Sequence, residues 1–242
     1  MGLRVPYPTD GKVDQAGYKR EVDLWIPSSF DYDVFEDKFW GDALLDEYPA
    51  AKTNGTGAEV TLDEHNQNGY LELTTGTSDN GYAGQGLGMQ FTGDRGVMAE
   101  FIVKTPAAVT TMKIEVGLSD ADDDAGAVNV KATPNATASD YAVFVADTDD
   151  DTVFAFHSAK GGTITASEDT GLTLAASTTY RFAVRVEGDN VTAFCNGAVV
   201  AEHSDGIEGG SKLTPWVFAQ ARTGSASRIL QLHKWRAIQP AY

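Results

Sequence analysis

Residues 180–202 (YRFAVRVEGDNVTAFCNGAVVAE) constrain the fold more than any other stretch of the chain. Tyr180, Phe182, Val184 and Val186 alternate with Arg181, Ala183 and Arg185, which is the period of a strand with one buried face. Glu187-Gly188-Asp189-Asn190 is a turn cluster, and residues 191–195 form the return strand. Asn196-Gly197 lies between apolar runs. Both residues tolerate the positive φ of a two-residue hairpin turn, so residues 198–202 are expected to come back as a third strand. A chain that commits this much sequence to consecutive hairpins is expected to be all-β.

The remaining sequence reads the same way. Strands are expected at residues 59–62, 70–74, 89–92, 97–104, 112–118, 141–146, 152–157, 163–167, 215–221 and 229–235, with turn clusters between them. The glycine-rich residues 76–88 are read as a loop and the run Gly84-Gln85-Gly86-Leu87-Gly88 as a bend. A short helix is expected over 42–51, stopped near Pro49. There is no βαβ alternation and no repeat of fixed period. The pattern predicts a two-sheet antiparallel jelly-roll sandwich over residues 35–242.

Residues 1–34 differ from the rest. They hold Pro6, Pro8 and Pro27, three of the eight prolines. Val22, Leu24 and Ile26 alternate around Asp23 and Trp25. The segment is read as a partner-binding arm, with Val5, Pro6, Tyr7, Pro8, Val22, Leu24, Trp25 and Ile26 as its contact residues. No apolar h-region opens the chain, so no signal peptide is expected. No apolar run approaches the length of a membrane span.

Acidic residues number 35 against 18 basic ones, a formal charge of −17. Binding to nucleic acid or to an anionic membrane through a basic patch is therefore not expected. Cys195 is the single cysteine, which excludes an intrachain disulfide, and it is read as a buried structural thiol. Asp122, Asp124, Asp149 and Asp151, in two acidic clusters, are Ca²⁺-ligand candidates set against a reading as solvated turns; neither cluster has the glycine and glutamate spacing of an EF-hand. Otherwise no cofactor is expected. His65, His157, His203 and His233 are far apart and match no metal or nucleophile motif. Trp25, Trp40, Trp216, Trp235, Tyr82 and Tyr141 are candidates for stacking on sugars, Tyr82 and Trp216 foremost, with core packing as the competing fate.

Residues 97–104 and 112–120, the 180–202 hairpins, and the pairing of 216–222 with 229–235 resemble, in order and motif, the concanavalin A-like lectin/glucanase superfamily, including laminin-G-like domains. The resemblance implies the sandwich fold. The glucanase branch carries a Glu-x-Asp-x-x-Glu strand that this sequence lacks. Glu100 and Glu115 are single carboxylates on separate strands, each read as facing solvent, so no catalytic residue is assigned and no enzyme activity is expected. The legume-type Ca/Mn ligand pattern is also unrecognisable. A narrower resemblance, carried by residues 213–237, is to tailed-phage and related virion structural proteins. It implies a capsid decoration or surface subunit on the virion, made in the host cytoplasm, homo-oligomeric within an assembly and partnered by the major capsid protein. The alternative is a lectin-like or carbohydrate-binding module that adsorbs to glycans; a glycoside hydrolase ranks below both.

Overall fold

The computed structural model of the chain describes residues 32–39, 44, 48–63, 69–88, 91–121, 126–132, 134, 136–222 and 226–241. Among the described residues there are sixteen strands: β1 (Tyr32–Asp37), β2 (Lys52–Asn54), β3 (Ala58–Asp63), β4 (Tyr70–Thr75), β5 (Tyr82–Gly86), β6 (Phe91–Thr92), β7 (Val97–Lys104), β8 (Met112–Ser119), β9 (Tyr141–Asp147), β10 (Val153–Lys160), β11 (Thr163–Thr173), β12 (Thr179–Glu187), β13 (Asn190–Cys195), β14 (Ala198–His203), β15 (Lys212–Ala221) and β16 (Ile229–Pro240). The first sheet runs β14-β13-β12-β7-β16-β4-β3, with β1 also on β16. The second runs β11-β10-β9-β8-β15-β5-β2, with β6 also on β15. The described pairings are antiparallel, as a two-sheet jelly roll requires.

The inner faces meet in one core. Leu71, Val97, Phe101, Phe182, Val184 and Trp235 of the first sheet pack with Ile114, Val116, Phe144, Phe154, Phe156 and Val217 of the second. Phe182 crosses the gap, with ring centroids 4.5 Å from Phe144 and 5.1 Å from Phe154, which are close aromatic contacts. The hairpins of residues 180–202 form as expected, with Asn196 and Gly197 at φ 50° and 85°. Cys195 is buried between them.

β16 organises the first sheet. One edge pairs with β7. The opposite edge pairs with β4 along Ile229–Leu232 and with β1 along Trp235–Pro240. Trp235 donates from Nε1 to the Tyr48 hydroxyl (2.8 Å), which donates to Asp37 Oδ2 (2.7 Å). The two rings stack 5.5 Å apart.

The structure corrects several expectations. β1 begins at Tyr32, so residues 32–34 belong to the sandwich and not to the arm. β11 extends to Thr173, well beyond 167. Leu44 and residues 48–51 are not helical; the rest of the expected helix, the contact residues assigned to the arm between Val5 and Ile26, Trp25, Trp40, and His65 lie outside the described residues. Gly84-Gln85-Gly86 is not a bend but the strand β5, paired with β15. Gly84 is dictated by packing. A Cβ at Gly84 would sit 2.7 Å from Trp216 Cη2 and 3.0 Å from Phe218 Cδ2.

Both rings are fully buried and cannot yield. Gly84→Val is therefore expected to cost about 1–3 kcal/mol through overpacking, read as a lower urea midpoint with an unchanged m-value.

Candidate functional site

The chemically unusual residues lie on the outer face of the second sheet, the face turned away from the core. On β8 the side chains of Met112, Ile114, Val116 and Leu118 enter the core, so Lys113, Glu115 and Gly117 face outward. Register sets Lys113 between Asp147 and Gln220, and Glu115 between Val145 and Phe218. Gly117 lies between Val143 and Trp216. An outer sheet face normally meets water, yet Lys113, Glu115, Asp147, Trp216 and Phe218 are 0% exposed. Residues 126–129, between β8 and β9, fold over Lys113 and Glu115, while Trp216 and Phe218 pack with Tyr82. Ala127, Val128 and Ala138 pack with Tyr141, Val143, Val145 and Ala159 into a second, smaller apolar cluster.

Four donors hold the Glu115 carboxylate: Ala127 N–H at 2.7 Å, Val128 N–H at 3.1 Å, Trp216 Nε1 at 3.2 Å and Lys113 Nζ at 2.8 Å. A carboxylate offers about four lone-pair sites, so this one is saturated. Lys113 also donates to the Val128 carbonyl, and its ammonium lies 5.1 Å from the Phe218 ring centroid. Gly126 has φ 78°, and a Cβ there would come 2.6 Å from Glu115 Oε1, so the covering segment must carry glycine at this point. Beside this group, Asp147 accepts two hydrogen bonds from Arg222, one from Nε at 2.9 Å. Arg222 also donates to the Asn129 carbonyl (3.3 Å). The two ion pairs thus pin one loop from both sides.

Two further groups under this cover are unpartnered. Neither ring nitrogen of His157 nor the Tyr141 hydroxyl has a hydrogen-bond partner among the described residues. Burial, then the charge of Lys131, then His203, push the His157 pKa down to about 4. Burial, with the Glu115 charge behind it, pushes the Tyr141 phenol above its ordinary value.

A serine–histidine–carboxylate set also exists elsewhere in the molecule. Ser158 Oγ is 2.7 Å from His203 Nδ1, and His203 Nε2 is 3.9 Å from Glu168. The proton direction rules out a base acting on the serine. Thr165 donates its hydroxyl proton to the Gly206 carbonyl (2.7 Å), so Ser158 donates to Thr165 (3.0 Å) and accepts from the Nδ1–H of His203. Ser158 is moreover fully buried.

No protein-family model and no curated protein matches the sequence. Solved structures do match in shape. A protein of unknown function from Shewanella oneidensis MR-1 superposes with TM-score 0.62 at 14% identity, covering 99% of this chain and 97% of that one. The carbohydrate recognition domain of Emp47p gives 0.60 at 11% identity over 88% and 99%. The Bacillus licheniformis β-glucanase gives 0.57 at 9% identity over 84% and 97%. The fold is that of the concanavalin A-like lectins and glucanases.

In this concanavalin A-like sandwich the residues singled out from sequence scatter. Trp216 and Tyr82 cannot stack on a sugar: Trp216 is 0% and Tyr82 7% exposed, and both pack on Phe218. Trp235 and Tyr141 are likewise buried. Glu115 is not a solvent-face residue, because the loop after β8 folds over it; Glu100 does face outward on β7. Asp151 pairs with Lys131, and Asp149 lies on the same turn. Asp122 and Asp124 lie outside the described residues, among which no cluster of three metal-ligating side chains occurs. His157 and His203 are buried and His233 is half-buried, its ring 5.1 Å from that of Tyr70. The Lys113–Glu115 pair escaped sequence analysis because an alternating Lys-x-Glu reads as the wet side of a strand. The only hint was Gly126, directly before an Ala-Val that could bury.

Glu115→Ala would leave the Lys113 ammonium and three N–H groups buried without their acceptor. We expect a loss of about 3–5 kcal/mol, and recovery of most of it when Lys113→Met is combined with Glu115→Leu, both read by urea unfolding. Acidification should also destabilise the fold. The unfolded imidazole titrates near 6.5 and His157 near 4 in the folded chain. Between those values the unfolded state binds more protons, so stability falls with pH, by about 3 kcal/mol from this side chain. His157→Gln is expected to flatten that slope in unfolding curves measured from neutral pH to about pH 4.

Proposed function

We propose that this protein is a non-catalytic, lectin-like binding module, carried on the surface of a larger assembly. One observation supports the non-catalytic reading most strongly. Cleavage of a glycosidic bond by paired carboxylates needs two of them facing the substrate, about 5–10 Å apart. Here Glu115 and Asp147, the carboxylates on the outer face of the second sheet's central strands, have no exposure, and their oxygens are held by loop N–H groups, Trp216, Lys113 and Arg222. An incoming sugar would have to displace the loop and uncover two desolvated ion pairs before touching either.

Support for carbohydrate recognition comes from the fold, shared with the Emp47p carbohydrate recognition domain and with a β-glucanase. For the setting we favour a virion surface subunit, attached to the capsid through residues 1–31. What supports this is the sequence resemblance at 213–237 and the proline-bearing segment that precedes β1, a strand on the border of the first sheet.

Incubation with β-glucan, xylan and polyuronate is expected to release neither reducing ends nor unsaturated sugars, while an array of immobilised glycans should retain the protein. Turnover of any of these polymers, lost on Glu115→Gln or Asp147→Asn, would overturn the non-catalytic reading. Deleting residues 1–31 is expected to abolish co-sedimentation with the particle while leaving the circular dichroism of the sandwich unchanged.

A further inference from the structure

The first sheet leaves its outer face open, and that face contradicts the composition. Along β7 the outward side chains are Met98, Glu100, Ile102 and Lys104, and along β12 they include Arg181 and Arg185. Register places Arg181 on one side of Ile102 and Lys234 on the other. A bulge in β16 between Leu232 and Lys234 turns both His233 and Lys234 toward this face. Two adjoining depressions of about 370 and 490 Å³ share Ile102 and Lys234. The first is floored by Met98, Ile102 and Phe194 and rimmed by Arg181 and Asn196. The second adds Lys38, Lys104 and Thr179. Each has the volume of a small-ligand site, roughly 300–1,000 Å³.

The charge in this trough is positive. Lys38, Lys104, Arg181, Lys234 and Arg236 stand against Glu36, Glu72 and Glu100, in a chain with 35 acidic and 18 basic residues. Glu36 is shared by three cations, Lys38 at 3.0 Å, Lys234 at 3.2 Å and Arg236 at 3.5 Å. Partial burial pushes the Glu36 carboxyl up, and Lys38 and Lys234 more than offset it, leaving it below its ordinary value. Lys104 and Arg181 form no ion pair with any described residue. Like charges gathered with fewer counter-ions than cations cost free energy in the unbound protein, and an anionic ligand relieves that cost.

We propose that this trough binds an acidic carbohydrate, with Lys104, Arg181 and Lys234 contacting its carboxylate or sulfate groups over the apolar floor of Ile102 and Met98. The proposal rests on the carbohydrate-binding reading above and adds a site and a ligand class. Neutral sugars are disfavoured there, since the Arg185 guanidinium lies over the Phe194 ring (5.9 Å), the aromatic face that would stack on them. A protein partner is disfavoured because the large apolar side chains more than a third exposed, Tyr32, Val34, Val199 and Ile229, lie at the margins of the sheet and not in the trough. Protein interfaces instead place their apolar residues at the centre.

The test is calorimetric titration of the full chain with a tetragalacturonate, a sulfated tetrasaccharide, neutral cellotetraose and tetraglutamate. The expected result is that one or both charged sugars bind, that affinity falls steeply with salt, and that the outer-face double variant Lys104→Glu/Arg181→Glu weakens it at least tenfold. Uronate binding without sulfate binding, or the reverse, assigns the anion. Charged sugars that bind the double variant as well as the parent, or tetraglutamate that binds as tightly as the sugars, would overturn the proposal. Cellotetraose binding that the double variant leaves intact, with no charged-sugar binding, would overturn it while leaving the carbohydrate reading standing. Failure of all three sugars would overturn both.

Discussion

A carboxylate taken out of water must recover its lost hydration from the protein, and the second sheet is arranged around how Glu115 does so. Two of its donors are consecutive backbone N–H groups of a loop, one is an indole, and one is a lysine on its own strand. The loop cannot lift without breaking these bonds, and while it is down the apolar cluster of Val128, Val143 and Val145 stays dry. The same closure helps explain why β8 and β9 are buried along both faces, which antiparallel strands rarely are. Buried ion pairs contribute little net stability but penalise every alternative arrangement. Here that means one position for the covering loop.

The two sheets consequently present opposite surfaces. One is sealed by chain folded across it, with its charges neutralised internally. The other is bare β-pleat, with alternate side chains set out in rows and cations gathered along its middle strands. Whatever this molecule recognises, the sealed side offers it mostly loop and turn, and the open side offers a fixed grid of charges on a rigid sheet.

What could be read from the sequence was what depends on neighbours along the chain. The hairpins of residues 180–202 pair strands two residues apart, so their alternation and turn chemistry sufficed. Cys195 followed from its place on an inward-facing position. What could not be read depends on distant segments. Gly84 looks like a bend until Trp216 is seen to occupy the space its side chain would need. Glu115 looks wet until residues 126–128 fold over it. Tyr82 and Trp216 looked available to sugars for the same reason: the sequence carries their identity but not what lies on top of them. The arm residues between Val5 and Ile26 lie outside the described part of the chain.

β16 has a consequence for how such a chain is made. It is the last of the described strands, yet among the described residues it is the only partner of β1, the first, and it also joins β4 to β7. During synthesis the ribosome delivers β1, β3, β4 and β7 long before their shared neighbour exists. Until it arrives, the half-built sheet has two open edges lined with unpaired amides, the kind of surface that recruits strands from other molecules. The second sheet has the same gap until β15 joins β5 to β8. Until β15 and β16 are made, strand pairing between copies is therefore the hazard of such a topology, and a like net charge of −17 on each copy works against it.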